Sequence, residues 1–308
     1  MFGRILSFYT KYFAVWVILM GLVAYLYPAP FVCLKPYMDW FFALTMFGIG
    51  AVLEVDDFRQ IAKKPTVVLI GTSAQYILMP LGAFALAKAF RLPPDIAAGL
   101  VLTAAAPEAM SSGVISYIAK ADVAYSVSLT IVSTLLCPLV TPGLTFLLTG
   151  RAIQFDFWTM VVGLLEMVIV PLFAGFGIRY YFKNKIEKVL AVFPAVSVTF
   201  IIFICSLVIA LNRNYLILIT GLILAADLIL NIYGMITGYW VGVLFRMDIR
   251  KRRTLAIEIG MQNAGLGTVL ALKYFGEKAA IPAAAFVFIC IITASIMAEI
   301  WQRKPTAQ

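Results

Sequence analysis

Histidine is absent from this chain. Its absence removes the side chain that titrates nearest neutrality, the usual proton shuttle and the commonest metal ligand. Catalytic arrangements that depend on a His base go with it. Charge is also scarce: Asp, Glu, Lys and Arg make up 13% of the residues, against about 25% in a soluble domain. Cysteine is confined to Cys33, Cys137, Cys205 and Cys290, which sit in or beside apolar runs without C-x-x-C spacing. They read as small buried hydrophobes, not as a metal or redox set. The chain has no aspartyl pair of the GxGD type and no serine–base pair at a helix end. An intramembrane enzyme is therefore disfavoured.

What the chain has in excess is apolar surface. Hydrophobic residues are 63% of the 308 and the mean hydropathy is +0.99. One soluble core of this length could not absorb that surface, so the chain reads as an all-α polytopic membrane protein. Uncharged runs near 20 residues long place ten transmembrane helices at roughly 12–28, 37–53, 66–87, 94–119, 123–149, 156–178, 189–211, 215–245, 252–275 and 279–301. Arg4 and Lys11 precede the first run as they would in a signal peptide, but the run continues to "YPAP" with no small-x-small cleavage site, so it is expected to stay as a helix. "EVDDFRQIAKK" (54–64) is a polar connector that suits a short interfacial helix.

Ten spans put both termini on one side. Of the 24 Lys and Arg residues, 17 fall on that side and 7 on the other. The positive-inside rule then makes both termini cytoplasmic in a multi-pass inner (plasma) membrane protein. The net charge of +9 is mostly cytoplasmic-loop charge and calls for no nucleic acid. The partners to expect are the lipid bilayer and a small solute, and no obligate protein partner is evident.

Ten helices form two blocks of five. An odd number per block means that the second block is inverted relative to the first. The fourth helix of each block is broken: helix 4 carries "AAAPEAMSSGV" (104–114) with Pro107 and Gly113, and helix 9 carries "EIGMQNAG" (258–265) with Gly260 and Gly265. Paired interrupted helices at matching positions of inverted halves point to a transporter's central site. The free backbone ends at such breaks must face protein, water or an ion, because lipid cannot satisfy them.

The side chains at the breaks suit Na⁺. Glu258 offers a carboxylate, Gln262 an amide oxygen, and the unwound turn its carbonyls. Ser111 and Ser112 offer hydroxyls. Ser126 and Thr130 on helix 5 stand at i and i+4, hence on one face, and Gln75 interrupts an apolar run on helix 3. Serine and threonine in membrane helices commonly bond their own i−4 carbonyl instead, and Gln75 could simply join helices. Glu258 is different, since an ionisable group inside the membrane is functional by default.

At these residues the chain resembles the bile acid:sodium symporter family. "EIGMQNAGL" (258–266) matches that family's E-[VI]-G-M-Q-N-[SA]-G-L pattern, and "SYIAKADVAYSVSLTIVSTLLCPLVTP" (116–142), "MFGIGAVLEVDDF" (46–58) and "AQYILMP" (74–80) are similar to further family stretches. The resemblance runs from about residue 10 to 280. It implies one transporter unit over 1–308, with discontinuous helices 4 and 9 crossing in the core. A panel of helices 1, 2, 6 and 7 (about 12–53 and 156–211) would pack beside a core of helices 3–5 and 8–10 (about 66–149 and 215–301). One sodium site would use Gln75, Glu258, Ile259, Met261 and Gln262. The other would use Ser112, Gly113, Ser126 and Thr130, again with Glu258, so that one or two Na⁺ ions bind. Asn263, Ser111, Met110, Glu108 and Asn231 are the expected contacts for a small organic anion, bile-acid-like or a monocarboxylate such as pantoate or a keto acid.

The chain departs from the family at Gly113, where asparagine is usual, and at "PEAM" (107–110), where Pro-Gly-Gly-Thr is common. "LILNIYG" (228–234) keeps Asn231 without the histidine often found before it. The functional expectation is a sodium-coupled symporter working by alternating access, with a proton-coupled carrier using Glu108 and Glu258 as the alternative.

Overall fold

The structure is a computed structural model that describes residues 9, 13–149, 155–182, 192–213 and 216–303. Of the basic residues counted for topology, Arg4, Lys11, Arg151, Lys183, Lys185, Lys188 and Lys304 lie outside the described residues, as do the expected first residues of the first, seventh and eighth spans.

The described residues are helical with short connections, and they hold no strand. In chain order the helices are α1 (Phe13–Leu26), α2 (Ala29–Val32), α3 (Met38–Val52), α4 (Val55–Lys63), α5 (Pro65–Ala89), α6 (Pro94–Ala105), α7 (Ser112–Ile118), α8 (Val123–Thr149), α9 (Phe157–Leu164) and α10 (Val170–Phe182). They continue with α11 (Phe193–Asn212), α12 (Leu216–Leu244), α13 (Ile249–Gly260), α14 (Ala264–Tyr274) and α15 (Ala280–Arg303). A π-helical turn at Leu165–Ile169 joins α9 to α10.

Six unbroken helical stretches are long and apolar enough to cross a membrane: Pro65–Ala89, Val123–Thr149, Phe157–Phe182, Ala195–Asn212, Gly221–Leu244 and Ala280–Arg303. The first two expected spans form one further pair, bent by 102° between Leu26 and Ala29, where Pro28 and Pro30 interrupt the chain. The expected fourth and ninth spans are each split in two. Proline accounts for the first split: Ala106, which precedes Pro107, is extended at φ −67° and ψ 156°, as the pyrrolidine ring demands of its neighbour. The polar connector forms α4, whose acidic first turn carries Asp56 and Asp57 and whose last turn carries Lys63, in keeping with the helix dipole.

The chain divides into two compact units. One comprises Met1–Val55 and Trp158–Ile219, the other Asp56–Phe157 and Thr220–Gln308. In the first unit α3 packs on α10 and on α11. Phe42 and Phe200 meet edge-on at 5.5 Å, and Phe47 and Phe193 at 6.0 Å. The α3–α10 approach is close enough that a Cβ on Gly50 would collide with the Leu172 carbonyl. Small residues permit such contact where lipid offers no hydrophobic drive.

The second unit holds both split helices. Thr254 on α13 accepts from the Asp122 amide at 2.9 Å and donates to the Asp122 carbonyl at 3.0 Å, which clamps α13 to the start of α8. Gly234 on α12 lies so near α13 that a Cβ there would stand 2.8 Å from the Ile259 carbonyl and 2.6 Å from the Met79 sulfur.

Gly50→Ala forces α3 and α10 apart, and overpacking of a tight contact costs about 1–3 kcal/mol. The variant is expected to melt at a lower temperature than the parent in detergent. An unchanged melting temperature would show that the two helices yield freely at this point.

Candidate functional site

The two splits lie against each other. Glu108 and Gln262 form an isolated antiparallel bridge, with the Ala109 amide donating to the Met261 carbonyl at 3.0 Å and the Asn263 amide donating to the Pro107 carbonyl at 2.8 Å. Met261, extended at φ −109° and ψ 108°, and the residues around Pro107 thus behave as one turn of sheet between four half-helices. Both chains gain backbone partners that their own helices no longer supply.

Side chains satisfy the remaining carbonyls. At the end of α6, Thr141 donates to the Ala105 carbonyl at 2.6 Å and Gln75 to the Ala106 carbonyl at 3.1 Å. At the end of α13, Asn231 donates to the Gly260 carbonyl at 2.8 Å and Gln262 to the Ile259 carbonyl at 2.8 Å. The restart of α14 is capped by Asn263, whose side-chain oxygen accepts from the Leu266 amide at 3.0 Å, the usual role of an Asn N-cap.

Glu258 sits in the last turn of α13 and is completely buried. Ser126 donates to its Oε1, and Thr130 donates to its Oε2 at 3.2 Å. Thr130 also bonds its own i−4 carbonyl, that of Ser126, at 3.1 Å, so the local bond and the long-range one coexist. Ser112, at the start of α7, is close enough to interact electrostatically with the same carboxylate, but its buried hydroxyl closes no hydrogen bond. Gly113 leaves space beside this group: a Cβ there would meet Ser126 Oγ only at 3.9 Å.

Gln75 and Gln262 lock together. Gln75 donates to Gln262 Oε1 at 2.5 Å and Gln262 donates back to Gln75 Oε1 at 3.0 Å. Their amides therefore join α5 to the second split across 187 residues of sequence. The Gln75, Glu258, Ile259, Met261 and Gln262 set and the Ser112, Gly113, Ser126 and Thr130 set are both gathered at the paired splits. Oxygen acceptors dominate, and no group of three His, Cys, Asp or Glu residues suited to a transition metal occurs among the described residues. A hard cation fits these donors best.

The expected substrate contacts fall into two groups. Ser111 is exposed, Met110 and Asn263 are half-buried, and Glu108 and Asn231 are wholly buried. Asn231 commits its amide nitrogen to the Gly260 carbonyl and leaves its oxygen without a hydrogen bond.

Two residues join the inventory from the structure. Ser133 accepts weakly from the Glu108 amide at 3.4 Å and donates to the Thr130 carbonyl at 3.1 Å. Asp227, one turn before Asn231 on α12, is wholly buried with both carboxylate oxygens unpartnered. An aspartate inside "LILAADLIL" was itself a signal, since a charge in an apolar span is functional by default. Ser133 carries no such signal, because hydroxyls line much of α8.

Split helices whose ends meet deep in an apolar bundle, with carboxylates and amides at the meeting point, define a membrane transporter. Comparison with known proteins places it further. Residues 40–219 match the model of the Sodium Bile acid symporter family. The sodium-dependent transporter YocS of Bacillus subtilis is 36% identical over 302 residues, covering 98% of this chain and 94% of the relative. The probable sodium/metabolite cotransporter BASS1, chloroplastic, of Arabidopsis thaliana is 34% identical over 300 residues, covering 96% of this chain and 74% of the relative. Its rice namesake is 32% identical over 296 residues, covering 95% and 73%. The chain belongs to the sodium bile acid symporter family; it is a multi-pass transporter and not an enzyme.

Asn231→Leu keeps the number and branching of the side-chain heavy atoms and removes the donor to the Gly260 carbonyl. A buried acceptor left without its partner costs about 1–3 kcal/mol. Reduced thermal stability in detergent is expected, and melting at the parent temperature would mean that the carbonyl finds another donor.

Proposed function

We propose that the chain is a sodium-coupled symporter of a small organic anion that works by alternating access. The observation that carries this reading is Glu258. It is a wholly buried carboxylate at a helix split, held by two hydroxyls and by no cationic side chain among the described residues. An isolated buried anion is too costly to persist without a compensating charge, and the surrounding oxygens are the kind that replace the hydration shell of Na⁺. The printed names of the relatives, sodium-dependent transporter and sodium/metabolite cotransporter, support the same ion.

In this reading the ten spans form two inverted five-helix repeats, and α6–α7 and α13–α14 are the crossing helices 4 and 9. The unit of Asp56–Phe157 and Thr220–Gln308 serves as the core and that of Met1–Val55 and Trp158–Ile219 as the panel. One sodium ion binds through Gln75, Glu258, Gln262 and the carbonyls of Ile259 and Met261, after the two glutamine amides turn their oxygens towards it. The other binds through Ser112, Ser126, Thr130 and Glu258. The substrate carboxylate approaches Ser111, Met110 and Asn263, where α7 and α14 begin and their N-terminal ends favour negative charge. Each Na⁺ driven inward supplies about 2.3 kcal/mol per 100 mV of membrane potential. The protein resides in the plasma membrane with both termini cytoplasmic.

Glu258→Gln is expected to abolish sodium-driven uptake in proteoliposomes, and Gln75→Ala and Gln262→Ala each to raise the sodium concentration for half-maximal uptake several-fold. Uptake driven equally well by a pH gradient without sodium would overturn the coupling ion. A concentrative screen over pantoate, keto acids and bile acids selects the substrate.

Orientation is checked with cysteine chemistry. Cys33, unlike the buried Cys137, Cys205 and Cys290 and against the expectation from sequence, is exposed in the connection between the first two spans, and it is expected to react with a membrane-impermeant maleimide in intact cells. A cysteine appended after Gln308 in a Cys33→Ser background is expected to stay unlabelled until the membrane is permeabilised. The opposite pattern reverses the orientation.

A further inference from the structure

Glu108 faces a physical problem that the proposed sites do not solve. Its side chain is completely buried, and both carboxylate oxygens lack a hydrogen-bond partner. The Glu108–Gln262 bridge and the flanking Ala109–Met261 and Asn263–Pro107 bonds pin its backbone on both sides. The neighbouring field also opposes it. The C-terminal ends of α6 and α13 meet at the same bridge, and each carries a partial negative charge. Glu258 is near enough for the two carboxylates to repel each other.

Among the described residues, no side chain in reach offers relief. Tyr76 and Tyr125 both lie within electrostatic range of Glu108, yet Tyr76 donates to the Ser133 carbonyl at 2.7 Å and Tyr125 to the Val67 carbonyl at 2.9 Å. Arg253, the buried cation of α13, donates to the Ala119 carbonyl at 3.1 Å, near the other end of its helix.

One face of α8 connects the two acids. Ser126, Thr130 and Ser133 stand at i, i+4 and i+7, a single helical stripe. Ser126 and Thr130 donate to Glu258. Ser133 donates to the Thr130 carbonyl at 3.1 Å, accepts from the Glu108 amide at 3.4 Å, and interacts with the Glu108 carboxylate. Ser112, a buried hydroxyl without a hydrogen-bond partner, adjoins the Glu258 end. The result is a run of oxygens with a carboxylate at each end and, among the described residues, no positive charge between.

We propose that Glu108 and Ser133, with the Thr130 carbonyl, complete the second of the two sodium positions, the one lined by Ser112, Ser126, Thr130 and Glu258, so that the second ion is held between the two carboxylates. Hydroxyl, carbonyl and carboxylate oxygens are the ligands that a hard cation takes, and a cation there lies in the field of both acids and both helix ends and offsets part of their negative charge. This position rests on the sodium-coupled reading above, and it adds two ligands to it, the Glu108 carboxylate and the Ser133 hydroxyl. It also predicts an electrical consequence, since an ion bound here adds to the charge moved per transport cycle.

The test is sodium binding to the full-length protein in detergent at fixed pH, by ²²Na⁺ equilibrium binding and by sodium-dependent thermal shift. The parent is expected to bind about two ions with a Hill slope well above one, the slope being bounded by the number of sites. Glu108→Gln and Ser133→Ala are each expected to reduce binding to about one ion with a slope near one, while Glu108→Asp keeps a slope above one. Melting temperatures without sodium identify any variant that has lost its fold, and Ser133→Ala, a small change on a continuous helix, carries the test if Glu108→Gln unfolds. A parent with two ions whose count survives both Glu108→Gln and Ser133→Ala overturns this position, and so does a parent that binds only one ion. A parent that binds no sodium overturns the coupling reading itself, a separate result.

Discussion

Two helices stop in mid-course, and a backbone that stops inside an apolar bundle must find partners for its free amides and carbonyls. The rest of the second unit follows from that requirement. The two splits supply part of the solution to each other through the Glu108–Gln262 bridge. Thr141, Gln75, Asn231 and Gln262 supply the donors for four carbonyls, those of Ala105, Ala106, Gly260 and Ile259. Three different helices and the second split itself therefore send a polar side chain to the same place, and the polar character of the site is in large part the cost of breaking the helices.

This construction explains why structural and functional roles overlap. Gln262 helps to close the end of α13 and pairs with Gln75, while its amide oxygen is also a natural ion ligand. Asn263 caps α14 and stands where that helix offers its positive end. The polarity is separated in space along each chain. Helix C-termini and carboxylates lie on one side of each split, an environment for cations, and helix N-termini begin on the other, an environment for an anion. In the proposed reading, cation and anion bind a few residues apart on the same two segments. An ion that orders the splits also orders the place where the anion is received, which is a physical route to coupling.

Proline and glycine set the splits in place, but tight packing holds them. Ala106 is extended because Pro107 follows it, and Gly234 allows α12 to lie against the Ile259 carbonyl, beside the end of α13. The Asp122–Thr254 pair fixes α13 to α8 near their other ends. The hydroxyl stripe of α8 is thereby presented to Glu258 at a register that a shift of one residue would destroy, since successive positions turn by about 100° around a helix of 3.6 residues per turn.

The sequence by itself determined the solvent, the class and the acid at the centre. Composition excluded a soluble core, the absence of histidine excluded much catalytic chemistry, and Pro107, Gly260 and the "EIGMQNAG" run marked both interruptions. These features are local: a pyrrolidine ring restricts its own neighbour, and a carboxylate in an apolar run is conspicuous wherever the run folds. Tertiary structure alone decided which partners meet. That Gln75 would pair with Gln262, that Thr141 would serve the Ala105 carbonyl, and that Ser133 among many hydroxyls would adjoin Glu108 depends on helix register and rotation, which hydropathy does not encode. The first two expected spans show the same limit, since prolines announced a break but not a 102° bend. Asp227 is the converse case, a residue legible in the sequence whose lack of any hydrogen-bond partner became visible only once its surroundings were assembled.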